Sequence, residues 1–320
     1  MGTKLIRNWL QKKWYKFKKY RFAYFFVLPT VIGMVALHLT PILQGIWMSF
    51  LKLNQFTLDQ YVGAPFIGLK NYYDVLLNFK SPIRIGLFDA ARNTFIYTLV
   101  VTFGTVFLGM LVALMVNREF RGKGMIRTLF LFPWVVPTYV TGLLWGFMWQ
   151  RSVGIINIIL VDILHLLPDK PFWLIGPNTI WAIIVPTIWR YWPFSMLLLL
   201  AGMQSIPEEL YEAADIDGAS GWRKFWMITF PLLRPVWSIL ILFGLIFNVY
   251  SFNIVIMMFG FGAGFPGEWG DLLMTNIFRN SFMQWNFGSG AATSVLLMIT
   301  MILIVNVWFY FYRKIEEESR

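Results

Sequence analysis

Six apolar runs, near residues 22–50, 93–117, 126–149, 178–204, 235–259 and 289–312, constrain this chain more than any other feature. A helix needs about 20 residues to cross a bilayer core, and each run is long enough. In lipid every backbone amide and carbonyl must be bonded within the protein, so only helices and closed barrels span. Continuous apolar runs of this length select helices. The reading is an all-α integral membrane protein with six transmembrane helices. Composition agrees: the 320 residues are 58% hydrophobic and only 13% charged, where a soluble domain carries about 25%.

Prolines punctuate several runs. Pro29 and Pro41 fall in the first, Pro133 and Pro137 in the third, and Pro186 and Pro193 in the fourth. Each removes a helix donor, so interruptions are expected there, with neighbouring helices or water bonding the freed carbonyls.

Charge placement sets topology. Eight of the 27 basic residues lie in segment 1–21, interleaved with Trp14, Tyr15, Phe17 and Tyr20, and no acid accompanies them. That pattern suits anionic lipid headgroups rather than nucleic acid. The apolar run that follows is too long for a cleaved signal peptide. The N-terminus, the segment around Arg118, Arg121, Lys123 and Arg127, the segment 205–234 and the C-terminus carry 18 basic residues; the three alternate loops carry eight. The positive-inside rule therefore predicts that both termini and segment 205–235 are cytoplasmic. The expected organisation is a basic amphipathic segment 1–21, a six-span domain 22–313 and a short tail 314–320.

Much chemistry is excluded. There is no cysteine, and only His38 and His165 could supply imidazole, so no metal site is expected. No Gly-x-x-x-x-Gly-Lys-Ser/Thr loop is present to cradle a nucleotide. All 16 acids fall outside the spans, which removes the buried carboxylates of ion-coupled carriers. A catalytic carboxylate or histidine cluster for a membrane transferase is missing as well. An ion-coupled secondary transporter of a small polar solute remains the alternative reading.

Segment 205–235 is a polar, helix-prone island between two apolar runs. Pro207 suits a helix start, and Glu208 and Glu209 suit the positive end of its dipole. Gly218 suits a helix stop, Ser220 a second cap, and Pro231 and Pro235 the return into the membrane. The result is a short helix–turn–helix at a membrane face, available to a partner or to the bilayer surface.

This segment resembles the EAA loop of ABC importer permeases through Glu212, Ala213, Ala214, Asp217, Gly218, Ala219, Phe225, Ile228, Thr229, Pro231, Leu233 and Pro235. The resemblance implies a type I ABC importer permease fold in a bacterial or archaeal plasma membrane. It implies a second homologous permease, an ATPase dimer that binds ATP and Mg, and an extracytoplasmic solute-binding protein. This chain itself would bind no cofactor and catalyse no reaction. Glu212, Ala213, Ala214, Asp217, Gly218 and Ala219 would dock on the ATPase and transmit its closure.

Residues 132–138 and the 282–296 region resemble the maltose-type carbohydrate branch. Carried over by flanking motif, the substrate contacts would be Trp134, Thr138, Arg190, Tyr191, Phe194, Tyr250 and Asn253. Arg190 stands where maltose permeases have an apolar residue, and Tyr250 where they have an asparagine. A charge at the depth of Arg190 costs at least roughly 2.5 kcal/mol on insertion scales, so it should face a cavity or a partner. Read from the residues alone, Arg190 either donates to a ligand or pairs structurally. Asn248, Tyr250, Ser251 and Asn253 either bond neighbouring helices or form a sugar-binding wall with aromatic faces.

Overall fold

The computed structural model describes residues 14–15, 18–260 and 264–318. The basic segment 1–21 thus lies mostly outside the described residues, as do the last two residues of the tail. Every regular element among the described residues is helical. Helix α1 (Arg21–Met48) runs as one span through Pro29, with a π turn at Val35–Leu39 ahead of Pro41. Next come α2 (Lys70–Leu76) and the long α3 (Pro82–Asn117), then α4 (Lys123–Phe130), the single turn α5 (Phe132–Val135) and α6 (Thr138–Met148). Helix α7 (Thr179–Gln204) leads into the hairpin α8 (Glu209–Ile216) and α9 (Gly221–Lys224). Helices α10 (Arg234–Val249), α11 (Asn253–Met258), α12 (Leu273–Phe278) and α13 (Phe287–Glu318) complete the order.

Four helices are each long and apolar enough to cross a bilayer: α1, α3, α7 and α13. The third expected span is instead a bent pair, Lys123–Val135 and α6, meeting at 86°. A second bent pair, Gly221–Leu232 and α10, meets at 65°, which makes six spans when each pair counts once. The fifth run is further divided, because residues 250–252 unwind between α10 and α11. Helix α3 of the second span begins at Pro82, earlier than the apolar run suggests, and α13 of the sixth continues to Glu318.

The prolines do not act alike. Helix α7 passes through Pro186 and Pro193 without a break, contrary to expectation. Pro186 cannot donate to the Ala182 carbonyl one turn back, and the Trp149 indole Nε1 donates to that oxygen instead, at 3.0 Å. At Pro137 the chain does break, with Val136 extended at φ −59°, ψ 127°. The carbonyl freed at Pro186 thus finds a neighbour's donor within a continuous helix, while the chain turns a corner at Pro137.

The centre of the bundle is α3 against α7. Buried Tyr97 and Val101 meet Ile183 and Ile184, with Val255 and Leu272 closing one end. Met110, Ala113 and Val116 meet Met196, Leu199 and Met203 toward the other end. Lipid tails are as apolar as leucine, so close packing and buried hydrogen bonds hold these helices more than water expulsion does. Close approach is plainest between α6 and α11: a Cβ on Gly142 would stand 2.6 Å from the Ile254 carbonyl, and one on Gly146 2.7 Å from that of Met258. These small residues, four apart, let two backbones touch.

Beyond α11, Asp271 anchors the turn to α12. Its carboxylate accepts from Thr275 Oγ1 at 2.6 Å, Asn276 Nδ2 at 2.9 Å and Arg279 at 2.6 Å. Burial pushes this carboxyl above its ordinary value, and Arg279 works against that push. Asn93 of α3 donates to the carbonyls of Glu268 and Asp271, so the whole corner is tied to the central helix.

Candidate functional site

A cavity of about 390 Å³ opens where α3, α6, α7, α10 and α11 converge. Each wall has a structural origin. Thr138 is the first residue of α6, placed there by the break at Pro137. Tyr191 and Phe194 come from consecutive turns of α7, and Phe243 and Phe247 from consecutive turns of α10. Tyr250 and Asn253 flank the unwound residues between α10 and α11.

Five of the seven expected contacts, Thr138, Tyr191, Phe194, Tyr250 and Asn253, therefore line one cavity. Trp134 and Arg190 do not. Trp134 stacks on Phe194 with ring centroids 5.8 Å apart and planes 23° from parallel. Arg190 directs its guanidinium at the carbonyls of Pro133, Trp134 and Val136.

The polar patch divides into two functions. Asn248 donates to Thr102 Oγ1 at 3.0 Å, and Ser251 lies 2.8 Å from the Tyr97 hydroxyl, which also meets Thr187 at 2.9 Å. These bonds join α3 to α10, and α3 and α7 to the unwound residue Ser251. The side chains of Thr138, Tyr191, Tyr250 and Asn253, by contrast, make no hydrogen bond among the described residues. Three hydroxyls and one amide, each able to donate and accept, thus stand unspent beside aromatic faces. Residue-type reasoning did not single out Phe243, Phe247 or Phe252, because nothing in an apolar run distinguishes a cavity face from a lipid face.

The second candidate site is the hairpin. Helix α8 ends in a Schellman turn: the Ala219 amide donates to the Ala214 carbonyl at 2.8 Å and the Gly218 amide to that of Asp215 at 3.0 Å. Gly218 occupies the left-handed region at φ +68°, which only glycine adopts readily. Ser220 caps α9 by accepting from the Arg223 amide at 3.3 Å, as the sequence suggests. Pro207 precedes α8 rather than lying inside it, with its carbonyl accepting from Leu210 as the chain enters the first turn.

Two bonds close the hairpin on itself. Lys224 Nζ lies 2.7 Å from Asp215 Oδ1, and the hydroxyls of Tyr211 and Thr229 lie 2.9 Å apart. Glu212, Ala213, Asp217 and Gly218 are exposed, Ala214 and Ala219 half-buried. Glu212 has no ion pair among the described residues, and beyond it Ile216 is 88% exposed. An exposed apolar tip ringed by acids, on a turn fixed by its own bonds, is a surface suited to insertion into a partner.

Comparison with known proteins gives this geometry its context. Residues 105–316 match the family of binding-protein-dependent transport system inner membrane components. The chain belongs to that family. The permease is 32% identical over 292 residues to the trehalose/maltose transport system permease protein MalF of Thermococcus litoralis, covering 91% of this chain and 92% of that protein. It is 30% identical over 285 residues to the inner membrane ABC transporter permease protein YcjO of Escherichia coli, covering 89% and 92%. It is likewise 30% identical over 295 residues to the sn-glycerol-3-phosphate permease UgpA of Agrobacterium fabrum, covering 91% and 94%. In fold, the permease matches a solved chain of a bacterial ABC transporter involved in the import of the acidic polysaccharide alginate, with TM-score 0.78 at 23% identity over 95% of this chain and 99% of the other. The permease is thus a membrane-embedded transport component, and the stand-alone ion-coupled carrier is set aside.

Proposed function

We propose that the permease forms half of a translocation pathway for an oligosaccharide or a related polyol, with a second homologous permease forming the other half. The carrying observation is the cavity whose unspent hydroxyls and amide stand beside aromatic rings. Sugars present hydroxyls that donate and accept, and C–H faces that stack on aromatic rings, and the cavity offers both partners. The names of the relatives above, for trehalose/maltose and for glycerol phosphate, support a polyhydroxylated solute.

In this reading Glu212, Ala213, Ala214, Asp217, Gly218 and Ala219 dock on an ATPase dimer, which holds ATP and Mg. Both termini and segment 205–235 face the cytoplasm, following the distribution of basic residues. Closure of the ATPase pushes the hairpin as one body, since its two helices are bonded to each other. The bend ahead of α10 carries that motion to residues 250–253 at the cavity wall. An extracytoplasmic binding protein delivers the solute from the opposite side.

The test is ATP turnover by the purified complex of both permeases, ATPase and binding protein. Neutral probes (maltotriose, trehalose) and acidic ones (an oligo-uronate, glycerol 3-phosphate) would be compared with amino acids and short peptides. Stimulation by a polyhydroxylated probe is expected. Stimulation by peptides or amino acids alone would overturn the substrate class.

A further inference from the structure

We infer that Arg190 is a positioning residue that pins the corner of the third span and thereby shapes the cavity, rather than a group that contacts the solute. The inference rests on the cavity described above but not on what solute enters it.

In a continuous helix the amide of residue 137 would bond the carbonyl of residue 133, but Pro137 has no N–H. Val136 and Pro137 are extended, so the last carbonyls of α5 also lose helical donors. Within a membrane such orphan groups must find partners. Arg190 Nη1 donates to the carbonyls of Trp134 at 3.1 Å and Pro133 at 3.4 Å, and to that of Val136. One guanidinium nitrogen thus serves the carbonyls on the near side of the break.

Charge points the same way. No acid pairs with Arg190 among the described residues, and its charge is met by carbonyl dipoles at the end of a helical turn, where a cation is favoured. The same device recurs in neutral form at Pro186, where the Trp149 indole serves the orphaned Ala182 carbonyl. There the helix continues unbroken; here the arginine holds a bend of 86°.

The geometric consequence reaches the cavity through three neighbours. Thr138 lies two residues after the bonded Val136, across Pro137, and lines the cavity. Tyr191, next to Arg190 on α7, lines it too and carries the guanidinium 5.3 Å from its ring centroid. Trp134, whose carbonyl is bonded, stacks on the cavity residue Phe194. Removing the guanidinium would release the corner and shift Thr138 relative to Tyr191.

The absence of cysteine from this chain allows a direct test. A Thr138→Cys variant of the assembled complex, its partner subunits free of reactive thiols, would be labelled with a small methanethiosulfonate reagent without solute, in backgrounds of Arg190, Arg190→Lys and Arg190→Ala. Hydrogen bonds to a charged donor are strong enough that their loss is expected to change the labelling rate by about tenfold in Arg190→Ala. Arg190→Lys, which keeps a donor, is expected to fall between the two. Labelling rates that are equal per folded complex would overturn the inference. Equal rates with a shifted half-saturation for maltotriose or an oligo-uronate would assign Arg190 to the solute, and equal rates with only a lower yield of complex would assign it to stability alone. Because the reading needs no solute, failure of the carbohydrate reading would leave this result interpretable.

Discussion

Tyr211 and Thr229, eighteen residues apart, meet through their hydroxyls at 2.9 Å. The bond ties helix α8 of the hairpin to the π turn that precedes α10. Thr229 is buried and Tyr211 half-buried, and this bond, with the Lys224–Asp215 pair, holds the hairpin's two arms together.

Removing the tyrosine hydroxyl tests that rigidity. Tyr211→Phe leaves the buried Thr229 hydroxyl without its partner and is expected to lower stability by about 1 kcal/mol. If the hairpin couples the ATPase to the spans as proposed, the ratio of solute imported to ATP hydrolysed by the reconstituted complex is expected to fall. An unchanged ratio would separate the bond from coupling.

Gly218 tests the turn itself. Nothing lies within 4 Å of a Cβ built there, so a substitution meets no clash, and its whole burden is the backbone at φ +68°. Gly218→Val is expected to strain the Schellman turn by about 1–2 kcal/mol and to abolish uptake, while the protein still inserts in the membrane. Normal uptake with normal insertion would argue against docking through this turn.

At Gly146 the opposite mechanism applies, since a Cβ would stand 2.7 Å from the Met258 carbonyl. Gly146→Leu is expected to force α6 and α11 apart and to destabilise the complex by about 1–3 kcal/mol, as overpacking does. Thermal unfolding of the detergent-solubilised complex would measure it, with Leu143→Ala on the exposed face of the same helix as the near-neutral comparison.

Within the cavity, Tyr250→Phe and Asn253→Ala each remove one group that has no partner among the described residues. Each is expected to raise the half-saturating concentration of a stimulating glycan by about five- to tenfold. The equivalent change at Asn248, which is bonded to Thr102, is expected to act on stability instead. Identical behaviour of all three variants would contradict the division between unspent and bonded polar groups.

Much of this architecture is legible in the residues. The apolar runs locate the spans because lipid forbids alternatives, and Gly218 and Ser220 locate the turn because each has a local backbone reason to be there. Local reasoning ends at the prolines. Pro137 and Pro186 look alike in sequence, yet one makes a corner and the other does not, and the groups that serve their freed carbonyls, Arg190 and Trp149, are distant along the chain. Arg190 shows the same limit: its position at membrane depth announces a partner, but the three carbonyls it serves exist only once the third span has bent. The cavity wall was partly visible through Thr138, Tyr191, Phe194, Tyr250 and Asn253, whereas Phe243 and Phe247 carry no mark that separates them from phenylalanines facing lipid.

The most direct test of the account is solute uptake into proteoliposomes containing the two permeases and the binding protein, with and without the ATPase and ATP. Uptake is expected only when the ATPase and ATP are both present. Accumulation of solute by the permeases without the ATPase would contradict it.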